Sequence, residues 1–409
     1  MRHDRDGCCT SDFTALTLKV LFYNDAPDFG GHELQTLAAV RHLVLQPDTQ
    51  VGFIYFRGNV RLAKPINELA AKFLNFHTLP QDYASRGFQF LRTLISIRAI
   101  GRIALAMAAF GPDIVVLAQG AIAFGSAGLL AAKKAGLPTI SYIPMTHPER
   151  FFSASRFKAA LREPINRIYY RLPTEYITIS PRMVDYLRRK GVQQPVTIVP
   201  VAIDPAARQW VDKDAARLLL GLAAGDWVVA LVGRVQFWQK RQDLAVLAVA
   251  LARREISNLK LLVVGDGPDL AALKELVRAQ GVEDAVVFAG WTDGMDSVYS
   301  AVDALVIPSR YEGVPLVMIE ALLSRIPVIA SAVDGMADNL PPQWLFPSGD
   351  VAALAARLVQ VARTCDPVLL EAHHQLVTDG FSLPVLERGF MAAIQSALQR
   401  LGRTPRQSD

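Results

Sequence analysis

Cysteine is scarce in this sequence. Its 409 residues include three cysteines: Cys8 and Cys9 are adjacent near the start of the chain, and Cys365 stands alone. This number and spacing exclude a disulfide framework and the usual zinc-binding patterns. A reducing, cytoplasmic environment is therefore the expected location.

Long hydrophobic runs are also missing. Residues 1–15 contain no apolar segment of the kind that forms the centre of a signal peptide. The most hydrophobic long stretch, residues 114–132, is interrupted by Gln119 and by three glycines. Such a stretch predicts a buried strand followed by a helix rather than a membrane-spanning helix.

Acidic residues are few in the first half of the chain. Residues 1–200 contain 24 lysines and arginines against 14 aspartates and glutamates, whereas residues 201–409 contain 19 and 24. The formal net charge of the whole chain is +5. This uneven distribution indicates either an anionic partner for the first half (a membrane surface, an anionic lipid, an acidic glycan or nucleic acid) or a basic surface that is simply solvated.

Short apolar and β-branched runs alternate with amphipathic stretches along nearly the whole sequence. The alternation predicts an α/β fold with parallel sheets covered by helices, built as two Rossmann-like domains with a deep ligand-binding cleft between them. The candidate strands form two series, at residues 16–23, 51–56, 114–117, 139–143, 176–179 and 196–199, and at residues 227–232, 259–264, 285–288, 304–307 and 327–330.

Glycine-rich turns follow two of these candidate strands. Gly30 and Gly31 come before the first predicted helix, where glycines and free helix N–H groups suit a phosphate. Gly265 and Gly267 lie in a second turn that fits either a nucleotide contact or a plain turn before a helix. Taken alone, each pair is equally consistent with a tight turn.

Two cations, Arg234 and Lys240, follow the first strand of the second series. Fixed cations at a strand end can clamp a diphosphate leaving group and neutralise the charge that develops as its bond breaks. Surface ion pairs are the alternative interpretation.

The most specific motif runs from Pro308 to Glu320. Glu312 lies in the loop before a predicted helix, and Glu320 lies eight residues later within that helix. The loop carboxylate can reach a sugar ring, the helix carboxylate can accept hydrogen bonds from two ribose hydroxyls, and the helix N-terminus can bind the diphosphate. The N–H groups of that N-terminus come from Gly313, Val314 and Leu316.

Taken together, these motifs resemble the GT-B-fold retaining glycosyltransferases of family 4. The resemblance covers residues 16–401 and rests on the order of the motifs as well as their residue types. The matching positions are Gly30, Gly31, Glu33, His147, Ser180, Asp204, Gly233, Arg234, Lys240, Gly265, Gly267, Glu312 and Glu320.

The resemblance implies a role for each matched residue. The implied catalytic residues are Glu312 and His147, both in contact with the transferred sugar and His147 reaching it from the opposite domain, together with Arg234 and Lys240 on the diphosphate. The implied donor-binding residues are Gly30, Gly31, Arg234, Lys240, Gly265, Gly267, Gly313, Val314, Leu316 and Glu320.

The resemblance also implies the organisation of the chain and its partners. A tail at 1–15 precedes an acceptor-binding domain at 16–205 and a nucleotide-sugar-binding domain at 206–381; a helix at 382–401 crosses back to the first domain, and a tail follows at 402–409. The implied partners are a nucleoside-diphosphate sugar and a glycan or lipid-linked acceptor. No metal, no cofactor and no nucleic acid are implied.

Two departures from the family pattern affect the phosphate site. Lys240 lies one residue further from Arg234 than is typical, and Pro315 replaces a frequent glycine and removes one N–H donor. Alternative functions are a related nucleotide-sugar epimerase or phosphorylase, or a non-catalytic subunit that binds nucleotide sugars or an active partner enzyme.

Two segments of the first half combine positive charge with apolar residues, at 86–102 and 151–172. Their apolar faces either pack on the sheet or dock on an anionic membrane, with Arg156 and Arg162 among the basic residues that would then face the lipid. The sequence therefore allows a peripheral location on the inner face of a membrane.

Overall fold

The computed structural model describes residues 16–85, 89–147, 156–292, 294–402 and 406–407. The predicted tail at 1–15, with Cys8 and Cys9, lies outside the described residues, as does most of the tail at 402–409. The strands are β1 Leu16–Asn24, β2 Thr49–Phe56, β3 Phe76–Gln81, β4 Ile114–Ala118, β5 Thr139–Tyr142, β6 Glu175–Thr178, β7 Val196–Ile198, β8 Trp227–Val232, β9 Leu259–Val264, β10 Val286–Gly290, β11 Ala304–Ile307, β12 Val328–Ser331, β13 Leu345–Phe346 and β14 Arg406–Gln407.

Helices connect nearly all of these strands. They are α1 Gly31–Val44, α2 Val60–Lys72, α3 Gln89–Ile95, α4 Ile97–Phe110, α5 Ser126–Lys134, α6 Arg156–Tyr169, α7 Pro181–Arg189, α8 Lys213–Leu219, α9 Phe237–Lys240, α10 Gln242–Ala252, α11 Leu270–Ala279, α12 Met295–Ala301, α13 Leu316–Leu323, α14 Asp334–Asn339, α15 Val351–Arg363, α16 Pro367–Gly380 and α17 Leu383–Arg400. Short 3-10 turns occur at Pro205–Ala207, Glu283–Ala285 and Pro342–Trp344.

The first sheet has the strand order β3-β2-β1-β4-β5-β6-β7, and the short β14 pairs with β1 in antiparallel fashion. Strand β1 lies in parallel register between β2 and β4, so that Phe22 is opposite Phe53 on one side and Val116 on the other. All five residues of β4 are buried, as expected of a parallel strand covered on both faces.

The second sheet has the order β10-β9-β8-β11-β12-β13, and every neighbouring pair is parallel. Strands β11 and β12 are buried along their whole length. The order reverses direction between β8 and β11, which is the point where ligands bind in sheets of this kind. The predicted α/β class with two Rossmann-like sheets is therefore confirmed.

The chain divides into two compact units. The first comprises Met1–Tyr142, Leu172–Tyr176 and Met391–Asp409, and the second comprises Ile143–Arg171 and Ile177–Phe390. Helix α17 therefore contributes residues to both units. The domain boundaries predicted at residues 205 and 381 stay predictions.

Close packing of helices on strands explains individual residues of the first unit. At Gly128 on α5, an added Cβ would lie 2.4 Å from the buried ring of Tyr23 on β1, so a side chain there would force the ring or the helix to shift. Near the end of α17, Arg400 donates a hydrogen bond of 2.7 Å from Nε to Oε1 of Glu175. Within the part of the chain that the structure describes, we find no helix long and apolar enough to cross a membrane.

Candidate active site

Three of the predicted motifs follow adjacent strands of the second sheet. Gly233 and Arg234 follow β8, Gly265 follows β9, and the segment leading to Glu312 follows β11. The strand order β9-β8-β11 makes these three strands neighbours, and parallel strands end at the same sheet edge. The structure thus brings the motifs together at one edge of the second unit.

The carboxylate of Glu312 lies at the centre of this edge. Its Oε1 accepts a hydrogen bond of 2.6 Å from Nζ of Lys240 and one of 2.7 Å from Oγ of Ser309. Lys240 is the last residue of the short helix α9, which also contacts the same loop because the amide of Arg310 donates to the carbonyl oxygen of Gln239 at 2.7 Å. Glu312 is buried, whereas Lys240 remains partly exposed.

The backbone of Glu312 is held from both sides. Its amide donates a hydrogen bond of 2.9 Å to Oδ2 of Asp334, and its carbonyl oxygen lies 3.3 Å from Nε2 of His147. The same Nε2 lies 3.4 Å from Oδ2 of Asp334. Because both neighbours of Nε2 are acceptors, we assign the proton of neutral His147 to Nε2.

The imidazole of His147 lies in an aromatic environment. Its ring is buried between Tyr186 and Tyr311, with ring centroids 5.0 and 5.1 Å away. Burial lowers the pKa of His147, and the charge of Asp334 opposes this effect. His147 belongs to the same compact unit as Glu312, although the resemblance implied an approach from the opposite domain. Its contact with a donor sugar stays a prediction.

Glu320 lies on α13 with partners of its own. Its Oε2 accepts a hydrogen bond of 2.7 Å from the hydroxyl of Tyr299, and its Oε1 lies 3.2 Å from Nη2 of Arg208. Arg208 also pairs with Asp296 at 3.1 Å and lies over the ring of Tyr299. The carboxylate is fixed but remains partly exposed, which leaves room for a further hydrogen-bond donor.

The two predicted diphosphate cations differ in the structure. Lys240 is paired with Glu312, whereas Arg234 is exposed. Among the described residues, none forms a hydrogen bond or ion pair with the guanidinium of Arg234. Of these two cations, Arg234 is thus the one whose donors are all available to a ligand.

The predicted glycines have a packing role that the sequence does not reveal. A Cβ on Gly265 would lie 2.1 Å from the carbonyl oxygen of Gly233, and one on Gly267 would lie 2.2 Å from that of Val235. A Cβ on Gly313 would lie 2.9 Å from Cδ1 of Ile179. These glycines allow backbone segments to approach one another closely, and their contact with a donor stays a prediction.

The glycines of the first unit cap a helix. Gly30 is the N-cap of α1, and its amide donates a hydrogen bond of 2.8 Å to Oε2 of Glu33. Oε1 of Glu33 lies 2.7 Å from Nε2 of His32 and accepts a hydrogen bond of 3.2 Å from Asn24. Burial would raise the pKa of Glu33, but these hydrogen bonds outweigh burial and lower it. The phosphate role of Gly30 and Gly31 stays a prediction.

Three residues that contact the site were not singled out from the sequence: Asp334, Arg208 and Tyr299. Asp334 offers a weak sequence clue, since an aspartate–glycine pair begins three residues after the end of the buried strand β12. Arg208 and Tyr299 offer none, because they reach Glu320 from separate elements. Among the residues that the structure describes, no three or more histidine, cysteine, aspartate or glutamate side chains are grouped to hold a metal ion.

Two Rossmann-like sheets, with the predicted motifs at one strand edge of the second, match the architecture of the GT-B class. Two family models match: the one described as glycosyltransferase family 4 at residues 29–207, and the one described as glycosyl transferases group 1 at residues 226–364. The chain belongs to this family, and the predicted recognition, GT-B fold and enzyme class are confirmed.

Relatives and solved structures agree with this assignment. The 2-deoxystreptamine glucosyltransferase of Streptomyces kanamyceticus is 30% identical over 272 residues, which are 63% of this chain and 70% of that protein. The 2-deoxystreptamine N-acetyl-D-glucosaminyltransferase of Streptomyces fradiae is 31% identical over 258 residues, 59% of this chain and 61% of that protein. The structure of Anabaena HepE in complex with UDP-glucose superimposes with a TM-score of 0.75 at 16% identity, covering 93% of this chain and 100% of that one. Sucrose-phosphate synthase from Thermosynechococcus elongatus gives a TM-score of 0.73 at 20% identity, with 94% and 100% covered.

Proposed function

We propose that the protein transfers a sugar from a nucleoside-diphosphate sugar to a glycan or lipid-linked acceptor and retains the anomeric configuration of the donor. The observation behind this proposal is the ion pair between Lys240 and Glu312 at the sheet edge. Glu320 lies on α13, the helix that follows the loop of Glu312. The UDP and UDP-glucose complexes of the structural neighbour HepE support a donor of this class.

The donor would be held by three groups of this edge. Glu320 would accept hydrogen bonds from the ribose hydroxyls, because its carboxylate is fixed by Tyr299 and still partly exposed. Arg234 would bind the diphosphate with its free guanidinium. Lys240 would bridge the diphosphate and Glu312, since an ammonium group has three donors and Glu312 takes one.

The proposed reaction proceeds on one face of the sugar. The bond between the anomeric carbon and the diphosphate oxygen breaks, and the acceptor oxygen bonds to the same carbon from the same face. The acceptor proton passes to the departing phosphate oxygen. Arg234 and Lys240 would stabilise the charge on the leaving diphosphate, and Glu312 would stabilise the positive charge on the sugar, so that neither a metal nor a cofactor is required.

The test is turnover of the purified chain with a set of nucleoside-diphosphate sugars and soluble sugar acceptors, with and without EDTA. We expect release of nucleoside diphosphate that EDTA does not change, and proton NMR of the product should show the donor's anomeric configuration. Lys240→Met should lower kcat by about 10²–10³-fold, as for other preorganised charge contacts.

Other outcomes would exclude the proposal in different ways. An inverted product would exclude retention, and loss of activity in EDTA would exclude metal-free transfer. An epimerised nucleotide sugar without transfer would indicate an epimerase, and nucleotide-sugar binding without turnover would indicate a non-catalytic subunit.

We also propose that the protein docks on an anionic membrane at the cytoplasmic face, next to a lipid-linked acceptor. Helix α4 supports this location, because it exposes Arg98 and Arg102 together with Leu105. Ile95 and Ile97 precede these residues, and the three aliphatic side chains are between 68% and 80% exposed. Exposed cations beside exposed aliphatic residues are suited to an anionic lipid surface.

The second predicted membrane segment contributes less to this proposal. In this segment, residues 151–155 lie outside the described residues, and so do the side chains of residues 156–162, Arg156 and Arg162 among them. Ile168 and Arg167 at the end of α6 are exposed. The membrane proposal therefore rests on α4.

A further inference from the structure

Asp334, the first residue of α14, has an unusual backbone conformation. Its φ angle is +45°, in the left-handed region that side chains other than glycine rarely adopt. Asp334 is nevertheless buried and is followed by Gly335. Such backbone strain persists where the surrounding contacts hold the residue in place, which directs attention to the contacts of the Asp334 carboxylate.

One oxygen of that carboxylate, Oδ2, contacts the loop of Glu312 directly. Oδ2 accepts the amide hydrogen of Glu312 at 2.9 Å and lies 3.4 Å from Nε2 of His147. The hydroxyl of Tyr186 donates to Oδ1 at 3.5 Å. The amide of Gly335 adds a hydrogen bond of 3.0 Å to the carbonyl oxygen of Gly313.

His147 contacts the backbone of the same residue, Glu312, at its carbonyl group. Its Nε2 lies 3.3 Å from the carbonyl oxygen of Glu312, so that aspartate and histidine bind the donor and the acceptor of one residue's backbone. The side chain of Glu312 is held separately by Lys240 and Ser309. All of these residues belong to the second compact unit.

We infer that Asp334, together with His147, is a positioning residue that fixes the backbone of Glu312 and so aims its carboxylate at the transferred sugar. This inference rests on the proposed function of Glu312. It also adds to the predicted role of His147, because the imidazole acts here through the glutamate backbone. A displacement of about 1 Å in a group that stabilises a transition state can cost about 100-fold in rate.

The test compares three variants. Asp334→Gly relieves the left-handed backbone but removes the carboxylate; Asp334→Asn keeps an oxygen acceptor and tolerates the same backbone conformation. Asp338→Asn is the matched control, since Asp338 lies on the same helix and forms its ion pair of 2.8 Å with Arg182.

Amide hydrogen exchange provides a readout that needs no substrate. Exchange at residues 311–314 should become faster in Asp334→Gly, less so in Asp334→Asn, and should stay unchanged in Asp338→Asn. For transfer, Asp334→Gly should lower kcat about 10–100-fold with little change in KM for the donor or in affinity for the nucleoside diphosphate. Asp334→Asn should recover part of that loss.

Two results would overturn the inference. One is unchanged exchange at residues 311–314 in Asp334→Gly. The other is faster exchange accompanied by a wild-type kcat, which would show that the loop needs no fixing. If the wild-type chain transfers no sugar from any donor, the proposed function fails, while the exchange measurement still decides whether Asp334 holds the loop.

Discussion

The two glutamates of the candidate active site are held by different neighbours, which separates their expected roles. Glu312 is buried against Lys240 and receives hydrogen bonds on its side chain and its backbone. Glu320 is partly exposed and is oriented by Tyr299 and Arg208. The first arrangement favours stabilisation of charge in a fixed geometry, and the second favours binding of a ligand that arrives from solvent.

The substitutions Glu320→Ala and Glu312→Ala should therefore impair different properties, nucleotide affinity in the first case and sugar transfer in the second. Glu320→Ala should weaken affinity for the nucleoside diphosphate about 10–100-fold, the usual cost of losing a charged hydrogen-bond partner. Glu312→Ala should leave that affinity nearly unchanged and abolish most transfer. Calorimetry with the same nucleoside diphosphate checks both variants, and Tyr299→Phe, which keeps the carboxylate, is the control for disturbed packing. Equal losses of affinity in the two alanine variants would contradict this division.

The buried histidine should make stability depend on pH. Burial lowers the pKa of His147 below its usual value of 6.5, against the opposing charges of Asp334 and Glu312 and with the help of Lys190. A histidine whose pKa is lower in the folded state costs stability as pH falls through 6.5, because the unfolded chain binds the proton more tightly.

Denaturant unfolding of wild type and His147→Gln between pH 7.5 and 5.5 tests this. Both forms contain Asp334, whose pKa is raised by burial and lowered by the charge of His147, so the comparison reports on the two groups together. The stability advantage of wild type should be constant above about pH 6.5 and shrink below it. If the free energies of unfolding of the two forms ran parallel over the whole pH range, the pKa of His147 would not be lowered in the folded state.

At the scale of the elements, the turns after β8 and β9 depend on each other. Gly265 has a φ angle of +131° and would place a Cβ 2.1 Å from the carbonyl oxygen of Gly233. The amide of Val235 donates a hydrogen bond of 2.9 Å to the carbonyl oxygen of Asp266, which joins the two turns further. These turns hold Arg234 at the sheet edge.

Gly265→Ala should consequently destabilise the second unit and weaken donor binding. Gly281→Ala is a matched control, because Gly281 also has a positive φ angle, +62°, but faces open space. We expect Gly265→Ala to lower the free energy of unfolding by about 1–3 kcal/mol more than the control, the usual cost of overpacking. Denaturant titration measures the difference, and equal losses in the two variants would mean that the turns separate easily.

Short or edge strands are the elements that the sequence predicted least well. β3, β13 and β14 were missed. β3 and β13 lie at the end of a sheet, and β14, within the predicted tail, pairs with β1. β3 contains Pro80 and has one fully buried residue, and β13 has two residues in all. The central strands β4, β8, β9, β11 and β12 were predicted within one or two residues, since continuous burial produces a continuous apolar run.

At the scale of the whole molecule, the first half of the chain carries an excess of positive charge, and α4 exposes part of it through Arg98 and Arg102. The protein should co-float with vesicles rich in anionic lipid and not with neutral vesicles, because each basic residue near such a surface contributes about 1 kcal/mol. Raising the salt concentration should release it.

A double charge reversal tests whether α4 is the docking surface. Arg98→Glu with Arg102→Glu should reduce flotation. Lys64→Glu with Lys72→Glu makes the same change in net charge on the exposed face of α2 and should reduce it less. Equal reduction by both pairs would indicate an effect of net charge alone, and flotation that salt does not affect would contradict an electrostatic surface.

The sequence by itself determined the α/β class, the two sheets and the family. Those conclusions depend on periodicity, on turn residues and on the order of motifs, all of which are local properties of the chain. It also identified Glu312, Glu320, Arg234 and Lys240 as candidate site residues, because they directly follow strands that end at one sheet edge or lie on the helices beside it.

The tertiary structure alone decided which groups hold those residues. Asp334 reaches Glu312 across 22 positions of sequence and His147 across 165. Such contacts have no local pattern, because they depend on how strands from distant parts of the chain are ordered in the sheets. The same holds for Gly265. The sequence predicts its turn, but only the structure shows why the residue must lack a side chain: the carbonyl group of Gly233, in the turn after the neighbouring strand, occupies that space.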